Sequence, residues 1–101
     1  MKSFTERVWE QLKLIPKGKV ASYKTLSEAM NSKAYRAVGS AVKKNPYAPG
    51  VPCHRVVKNN GEIGGYSGPG GVKRKIEILK KEGVEIIKNK VDLKKYLYEF
   101  R

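Results

Sequence analysis

The sequence predicts a mostly α-helical protein with short β segments, folded as a single winged helix-turn-helix-like domain over residues 1–101. Three observations support this prediction. The chain has 101 residues, of which 40% are hydrophobic, enough for one modest core. Apolar residues recur at helical spacing in several segments. Two short predicted helices are joined by a tight turn, which is the outline of a helix-turn-helix.

The first helix is predicted over residues 4–14. Ser3 and Glu6 have the spacing of a capping box. Apolar residues follow at positions 4, 8, 12 and 15, and a proline and a glycine at positions 16 and 18 end the helix. After an extended link at 20–22, a second helix begins at Ser22 or Tyr23, with apolar residues at 26, 29 and 30 on its inner face.

The third helix is predicted from residue 33 to about residue 43, with Ser32 as its cap. It is crowded with small residues: Ala34, Ala37, Gly39, Ser40 and Ala41. A glycine inside a helix costs roughly 1 kcal/mol relative to alanine. Gly39 therefore indicates a close approach, either by another helix or by the backbone of a ligand.

The second half of the chain alternates turns with short elements. Residues 45–50 form a turn-rich loop, 55–57 a short buried strand, 59–61 a turn and 62–63 a strand-like pair. A glycine-rich loop at 64–71 does not fit the Walker pattern. A fourth helix is predicted over 72–82, with Val72, Ile76 and Leu79 facing inward, the basic residues at 73–75 and 80–81 solvated, and Gly83 as its stop. A terminal hairpin of 84–87 and 91–93 turns around Asn89.

Several classes of protein are excluded by what the sequence lacks. One cysteine cannot form an internal disulfide, and with one histidine it gives no ordinary zinc set, so neither a metal nor a cofactor is predicted. No apolar run approaches the roughly 20 residues that span a bilayer, and the first residues lack the apolar block of a signal peptide. We expect an intracellular, cytoplasmic protein that does not bind a membrane.

Charge is the first positive indication of function. The 22 Lys and Arg residues against 9 Asp and Glu give a net charge of +13. This favours a polyanionic partner: nucleic acid, acidic lipid headgroups or an acidic protein. No acidic residue lies between Glu28 and Glu62. That window holds Cys53, His54 and six basic residues, namely Lys33, Arg36, Lys43, Lys44, Arg55 and Lys58.

Cys53 is the candidate nucleophile, with His54 beside it. A thiol reacts as its thiolate, which nearby positive charge and a basic imidazole favour. Adjacent residues on a strand point to opposite faces, so the two side chains need a helical turn or a bridging water to act together. Glu82, at the end of the fourth helix, is a candidate for orienting the imidazole.

An ordered set of motifs over roughly residues 3–83 resembles the 6-O-alkylguanine-DNA alkyltransferases, the methylated-DNA–protein-cysteine methyltransferases. The first motif is Pro52-Cys53-His54-Arg55-Val56. The others, in the order of the family, are Ser22-Tyr23, Lys33-Ala34-Tyr35-Arg36-Ala37-Val38-Gly39, Asn45-Pro46, Gly64-Gly65-Tyr66-Ser67-Gly68 and Glu82-Gly83. The resemblance covers the catalytic C-terminal domain of the family alone.

The resemblance implies a suicide repair reaction on double-stranded DNA that contains 6-O-alkylguanine. A helix-turn-helix enters the minor groove and the damaged guanine is flipped into a pocket, because a thiol cannot reach the alkyl carbon inside a stacked duplex. Cys53 then takes the alkyl group irreversibly, so each molecule acts once. The resemblance implies no cofactor, and we expect a monomer.

The resemblance also implies roles for individual residues. His54 deprotonates Cys53 through a water and Glu82 orients the imidazole. Tyr23 donates a hydrogen bond to the departing guanine and Arg36 fills the space that the flipped base leaves. The remaining implied residues are Asn45, which braces the cysteine turn; Val56, whose backbone with that of Cys53 reads the exocyclic amine; Tyr66 and Ser67, which close the pocket; and Lys33, Ala37 and Gly39, on the helix that contacts DNA.

Three other readings remain to be compared with this one. Alkyltransferase-like proteins bind alkylated guanine without repairing it, but commonly carry tryptophan where this chain has Cys53. A pure DNA-binding module explains the charge and the helix pair but leaves the Pro-Cys-His-Arg-Val motif without a purpose. A cysteine hydrolase explains Cys53 and His54 but neither the basic charge nor the lack of a dedicated oxyanion-hole motif.

Overall fold

A computed structural model describes residues 2–47, 50–66 and 68–100. It is mostly helical with two small two-stranded sheets, as the sequence predicts. In chain order the elements are α1 (Phe4–Leu14), β1 (Ala21–Ser22), α2 (Tyr23–Ala29), α3 (Tyr35–Lys43), a 3₁₀ helix (Cys53–Arg55), β2 (Val56–Val57), α4 (Gly71–Lys81), β3 (Ile86–Ile87), β4 (Lys90–Val91) and α5 (Leu93–Tyr96).

The helices of the N-terminal half follow the local signals in the sequence closely. The bounds of α1 are confirmed, and Ser3 and Glu6 form the expected capping box. Ser22 caps α2, again as predicted. The predicted start of α3 was wrong by two residues: the helix begins at Tyr35, and Ser32 is not its N-cap. The Ser32 hydroxyl instead accepts from the backbone N–H of Ala34 and holds the turn ahead of the helix.

Two predictions for the second half need correction. The strand predicted at 55–57 is confined to Val56 and Val57, because Arg55 closes a 3₁₀ turn that starts at Cys53. On α4, which spans Gly71–Lys81 rather than 72–82, Val72 is exposed instead of facing inward. Val72 lies in the first turn of the helix, where no other element covers it, and Lys75 takes the inward position one turn later.

The parallel pair β1–β2 joins the two halves of the protein. Ala21 pairs with Val56 and Ser22 with Val57. One buried cluster lies among α1, α2, α3 and the 3₁₀ turn, and a second lies among β2, α4 and the C-terminal hairpin. The start of α2 and the strand that follows the cysteine are therefore held side by side.

The C-terminal hairpin forms around Lys88 and Asn89 with β3 and β4 antiparallel, but its strands are Ile86–Ile87 and Lys90–Val91 rather than 84–87 and 91–93. The sequence analysis did not predict α5, which Asp92 caps by accepting from the N–H of Lys94. The chain then returns to the N-terminal half, since Val20 donates to the Tyr96 carbonyl at 2.9 Å and accepts from the N–H of Tyr98 at 2.7 Å. Within the described ranges, no helix combines the length and the apolar character that crossing a membrane requires.

Candidate active site

The 3₁₀ turn holds Cys53 at the edge of the first core cluster, with 4% of the residue exposed. The Cys53 N–H donates to the Val51 carbonyl at 2.8 Å, and the Arg55 N–H donates to the Pro52 carbonyl at 3.0 Å. A helical turn is one of the two arrangements expected to let Cys53 and His54 act together, the other being a bridging water. The turn is present, but Nδ1 of His54 has no hydrogen-bond partner among the described residues, so the two side chains do not bond directly.

Asn45 braces this turn from the end of α3. Its side-chain amide donates to the Val51 carbonyl at 2.7 Å, and its side-chain oxygen accepts from the Tyr47 N–H at 3.0 Å. Asn45 is buried, so both bonds lie away from solvent, where an unsatisfied amide is costly. The residue ties the helix to the segment that enters Cys53, which agrees with the bracing role expected for it.

His54 and Glu82 contact each other, as predicted. The His54 Nε2 lies 3.1 and 3.2 Å from the two carboxylate oxygens of Glu82. Arg55 clamps the same carboxylate from its other side, with Nε at 2.9 Å and Nη2 at 2.6 Å, while its Nη1 donates to the Ile15 carbonyl at 2.7 Å. The sequence analysis counted Arg55 only as part of the basic window. Its charge is used inside the site instead.

The pKa shifts keep the imidazole neutral and the carboxylate charged. Burial lowers the pKa of His54 below its usual 6.5, and the bond to Glu82 only partly opposes this effect. Burial alone would raise the pKa of Glu82, but hydrogen bonds from Arg55 and His54 outweigh it, so that pKa is lowered. A neutral ring that donates from Nε2 carries its lone pair on Nδ1. That Nδ1 is buried and has no hydrogen-bond partner among the described residues, so it can accept a proton.

Lys75 is the residue of the site that the sequence analysis missed. It was expected on a solvated helix face but is fully buried, and its ammonium donates to the carbonyls of Val56 at 2.7 Å, Ile63 at 2.5 Å and Gly65 at 3.0 Å. Burial lowers the pKa of Lys75 to about 8, which still leaves it mostly protonated at pH 7. The signal in the sequence was its spacing of four from the buried Leu79.

A groove of about 570 Å³ opens beside the start of α2. Its lining residues come from α2, α3 and the segments that follow β2: Tyr23, Tyr35, Arg36, Gly39, Ser40, Lys43, Lys58, Gly64 and Gly65. A Cβ added to Gly39 would meet only the Tyr23 ring, at 4.0 Å, which is ordinary contact. A Cβ would therefore fit at this position without a clash, so tight packing against α2 does not require the glycine.

Two tyrosines, Tyr23 and Tyr66, lie close enough to Cys53 to interact with it electrostatically, and Tyr23 also lines the groove. Burial, followed by electrostatic interaction with Cys53, raises the pKa of Tyr23 and also that of Tyr66. Both stay phenols at neutral pH and can donate hydrogen bonds. The Tyr66 hydroxyl is buried and has no partner in the described part of the chain.

The other predicted residues lie in different parts of the fold: on the strand after Cys53, ahead of α3 and on the exposed side of α3. The Val56 carbonyl accepts from Lys75 and the Cys53 carbonyl from the Val56 N–H, so each keeps a second lone pair for a ligand. Lys33 lies ahead of α3 rather than in it, and Lys33 and Ala37 are exposed but do not line the groove. Ser67 lies outside the described residues. Among the described residues, no group of three or more His, Cys, Asp and Glu side chains could hold a metal ion.

Residues 3–84 match the model of a known family, described as "6-O-methylguanine DNA methyltransferase, DNA binding domain". The chain belongs to this family. A methylated-DNA–protein-cysteine methyltransferase of Cricetulus griseus is 48% identical over 84 residues, which are 81% of this chain and 40% of that protein. The bifunctional transcriptional activator/DNA repair enzyme Ada of Escherichia coli is 43% identical over 81 residues, 79% of this chain and 22% of that protein.

Solved structures of the family superpose on the same fold. Mycobacterium tuberculosis OGT in complex with DNA gives a TM-score of 0.74 at 41% identity, over 81% of this chain and 50% of that one. Schizosaccharomyces pombe Atl1, in complex with damaged DNA that contains O6-carboxymethylguanine, gives a TM-score of 0.84 at 30% identity, over 98% of this chain and 99% of that one. The match therefore covers 40% of the Cricetulus griseus methyltransferase and 22% of Ada, but 99% of the Atl1 chain.

Proposed function

We propose that this chain repairs alkylated DNA by moving the alkyl group of 6-O-alkylguanine to Cys53, irreversibly and once per molecule. Residues 1–101 act as one domain, the catalytic domain of the family. The observation that carries the proposal is the set formed by the buried thiol, a neutral imidazole with a free Nδ1 and a carboxylate that fixes the imidazole. Transfer from DNA is favoured over hydrolysis because Tyr23, which lies close enough to Cys53 for the two to interact electrostatically, lines a basic groove.

The chemical step is an in-line displacement. A water carries the thiol proton of Cys53 to Nδ1 of His54, and the sulfur attacks the alkyl carbon. The bond between that carbon and the guanine oxygen breaks, its electron pair stays on the oxygen, and Tyr23 supports the departing guanine with a hydrogen bond. The product is a thioether, from which no second residue can remove the alkyl group, since the chain has one cysteine.

DNA recognition in this proposal uses the groove. Gly39 allows the backbone of α3 to lie close to the minor groove, with Lys33 and Ala37 at the exposed side of the same segment. The damaged base leaves the stack, because the thiol cannot reach it otherwise. Arg36, exposed on the groove, takes the place of the base. Tyr66 closes the pocket around the alkylated oxygen, and Ser67 is proposed to assist it.

A mass measurement tests the proposed function. Incubated with a 6-O-methylguanine oligonucleotide, the intact protein should gain one methyl group, and peptide mapping should place it on Cys53. Product should stop at about one methyl per protein, since a thioether is a poor leaving group. Multiple turnovers would contradict the proposal.

A second candidate function is recognition of the lesion without repair. The observation that favours it is the full-length match to Atl1 bound to damaged DNA. The presence of Cys53 beside His54 favours transfer instead. Tight binding of the 6-O-methylguanine oligonucleotide with no gain in mass would establish the second function in place of the first.

The pH profile of methyl transfer should report His54. The imidazole accepts a proton only when neutral, and its lowered pKa keeps it neutral through pH 7. The single-turnover rate should therefore fall only below pH 6.5. In Glu82→Gln, which loses the carboxylate that raises the pKa of His54, the acid limb should move to still lower pH, and the plateau should drop by about 10²-fold or more because the base is no longer oriented.

Glu77→Gln is the matched control for this measurement. Glu77 lies on α4 like the helix end that carries Glu82, but it is exposed and pairs with Arg74 at 3.4 Å. We expect the rate and the acid limb of the parent in this variant. An acid limb above pH 6.5 in the parent, or one that Glu82→Gln does not move, would contradict the role of His54 as the base.

A further inference from the structure

The C-terminal hairpin carries a concentration of positive charge that the proposed reaction does not use. It lies beyond residue 84, where the family match ends. Lys88 and Lys90 lie on the hairpin itself and Lys94 and Lys95 on α5, and the acidic residues of this stretch are Glu85, just before β3, and Asp92. The Asp92 carboxylate is already engaged as the cap of α5. Lys88 and Lys90 are exposed on the turn and on β4.

Backbone hydrogen bonds fix the hairpin against the segment that leads into the groove. The Ile63 N–H donates to the Asn89 carbonyl at 3.1 Å, and the Val91 N–H donates to the Gly61 carbonyl at 2.8 Å. These bonds flank an antiparallel bridge between Glu62 and Lys90. The turn of the hairpin is thereby held next to Ile63, and not at the far side of the second core cluster.

From Ile63 the chain runs directly into the groove. Gly64 and Gly65, the next two residues, line it, and so does Lys58 from the start of the same turn. Lys58 also passes close to Gly64, since a Cβ on that glycine would lie 3.4 Å from the Lys58 side chain. The hairpin turn is therefore connected to the groove through Ile63, Gly64 and Gly65, with Glu62 opposite Lys90.

The turn itself is tight and solvent-facing. Lys88 and Asn89 have φ angles of 50° and 65°, the two successive left-handed residues of a two-residue hairpin turn. With no insertion in the turn, the lysines have little freedom to move away from the groove. Ile87 is the one large apolar residue exposed on β3 and β4, so the hairpin presents a single apolar side chain and not a contiguous apolar patch.

We propose that this hairpin is a second contact with duplex DNA, in which Lys88 and Lys90 bind backbone phosphates beside the site held in the groove. The inference rests on the proposed function in one respect, that the groove is where the DNA lies. Phosphate contacts position a duplex without reading its sequence. The hairpin would fix the register of the duplex across the groove and add affinity for undamaged DNA.

The test is the salt dependence of binding to a fluorescent undamaged duplex of about 20 base pairs. The logarithm of the binding constant falls with the logarithm of salt concentration by about 0.9 per phosphate neutralised. In Lys88→Gln/Lys90→Gln the slope should become less steep by about 1.8, for two lost phosphate contacts. Both side chains are exposed, so we expect the thermal midpoint of the parent.

Lys13→Gln/Lys17→Gln is the matched control, because it removes the same charge from exposed positions outside the groove. Lys13, on α1, lines a separate depression together with Trp9 of the same helix and Tyr47. The salt dependence of DNA binding in Lys13→Gln/Lys17→Gln should have the same slope as in the parent. Equal slopes for the hairpin variant and the parent would overturn the inference, and so would an equal reduction in both variants, which would show a general effect of net charge.

The same preparations are also assayed for methyl transfer to Cys53, so that the two proposals fail separately. If the parent gains a methyl group while the hairpin variant keeps the slope of the parent, the inference alone is wrong. If the parent gains no methyl group while the hairpin variant shows the reduced slope, the proposed transfer is wrong and the DNA contact is supported.

Discussion

Cys53→Ser should abolish methyl transfer while leaving binding to duplex DNA close to that of the parent. A serine hydroxyl is far less acidic than a thiol, so His54 cannot generate a competent nucleophile from it. The substitution changes one buried atom at a position with 4% exposure. The residues that line the groove, Arg36 and Lys58 among them, are unchanged. The two activities should therefore separate completely in this variant.

The measurement pairs intact mass after incubation with a 6-O-methylguanine oligonucleotide with binding of the same duplex. As a control, Ser40→Cys in the Cys53→Ser background restores one thiol to the chain, in the groove on α3 but away from His54. That thiol should take up no methyl group, since it lacks the imidazole and the fixed turn. A Cys53→Ser protein that is still methylated would place the nucleophile elsewhere, and methylation of the Ser40→Cys protein would show that location in the groove suffices.

Much of the fold could be predicted because its signals are local. The capping box at Ser3, the cap at Ser22 and the left-handed Gly83 each fix a helix end through a few neighbouring residues. The hairpin around Asn89 follows from the same kind of signal. In contrast, α3 starts at Tyr35 because the Ser32 hydroxyl accepts from the N–H of Ala34, which lies ahead of the helix. The spacing of residues does not show whether Ser32 caps the helix or the turn before it.

The parts of the site that could not be predicted depend on contacts between distant segments. The pairing of His54 with Glu82 followed from a motif, but the third member, Arg55, did not, because its other partner is the Ile15 carbonyl at the end of α1. A basic residue in a basic window is expected in solvent. Only the folded structure shows that Arg55 forms an ion pair with the Glu82 carboxylate, which in turn contacts the imidazole of His54.

Lys75 shows the same limitation most clearly. Charged residues are almost never fully buried unless they are paired, so its charge assigned Lys75 to solvent although its spacing places it on the same helix face as Leu79. Its partners are three carbonyls from three different stretches of chain, at positions 56, 63 and 65. They lie on the strand after the nucleophile and on the approach to Tyr66. One ammonium thus joins the cysteine segment to the loop proposed to close over the substrate.

Lys75→Met should lower the free energy of unfolding by about 3 kcal/mol, the scale for removing one partner from a buried charged cluster. Methionine fills the space but leaves the buried carbonyls of Val56 and Ile63 without their donor, at roughly 1–3 kcal/mol each, offset in part because no charge is then buried. For a chain of this size the thermal midpoint should fall by about 12 °C or more. The measurement is urea unfolding followed by circular dichroism.

Lys73→Met, on the exposed face of the same helix, is the control and should lie within about 0.5 kcal/mol of the parent. Because the loss acts on the Gly65 carbonyl as well as on β2, the folded fraction of Lys75→Met should also transfer methyl groups more slowly than the parent, whereas Lys73→Met should not. If Lys75→Met is as stable as Lys73→Met, the three carbonyls do not depend on the ammonium. If it is less stable but transfers methyl groups at the rate of the parent, Lys75 supports the fold and not the position of the loop.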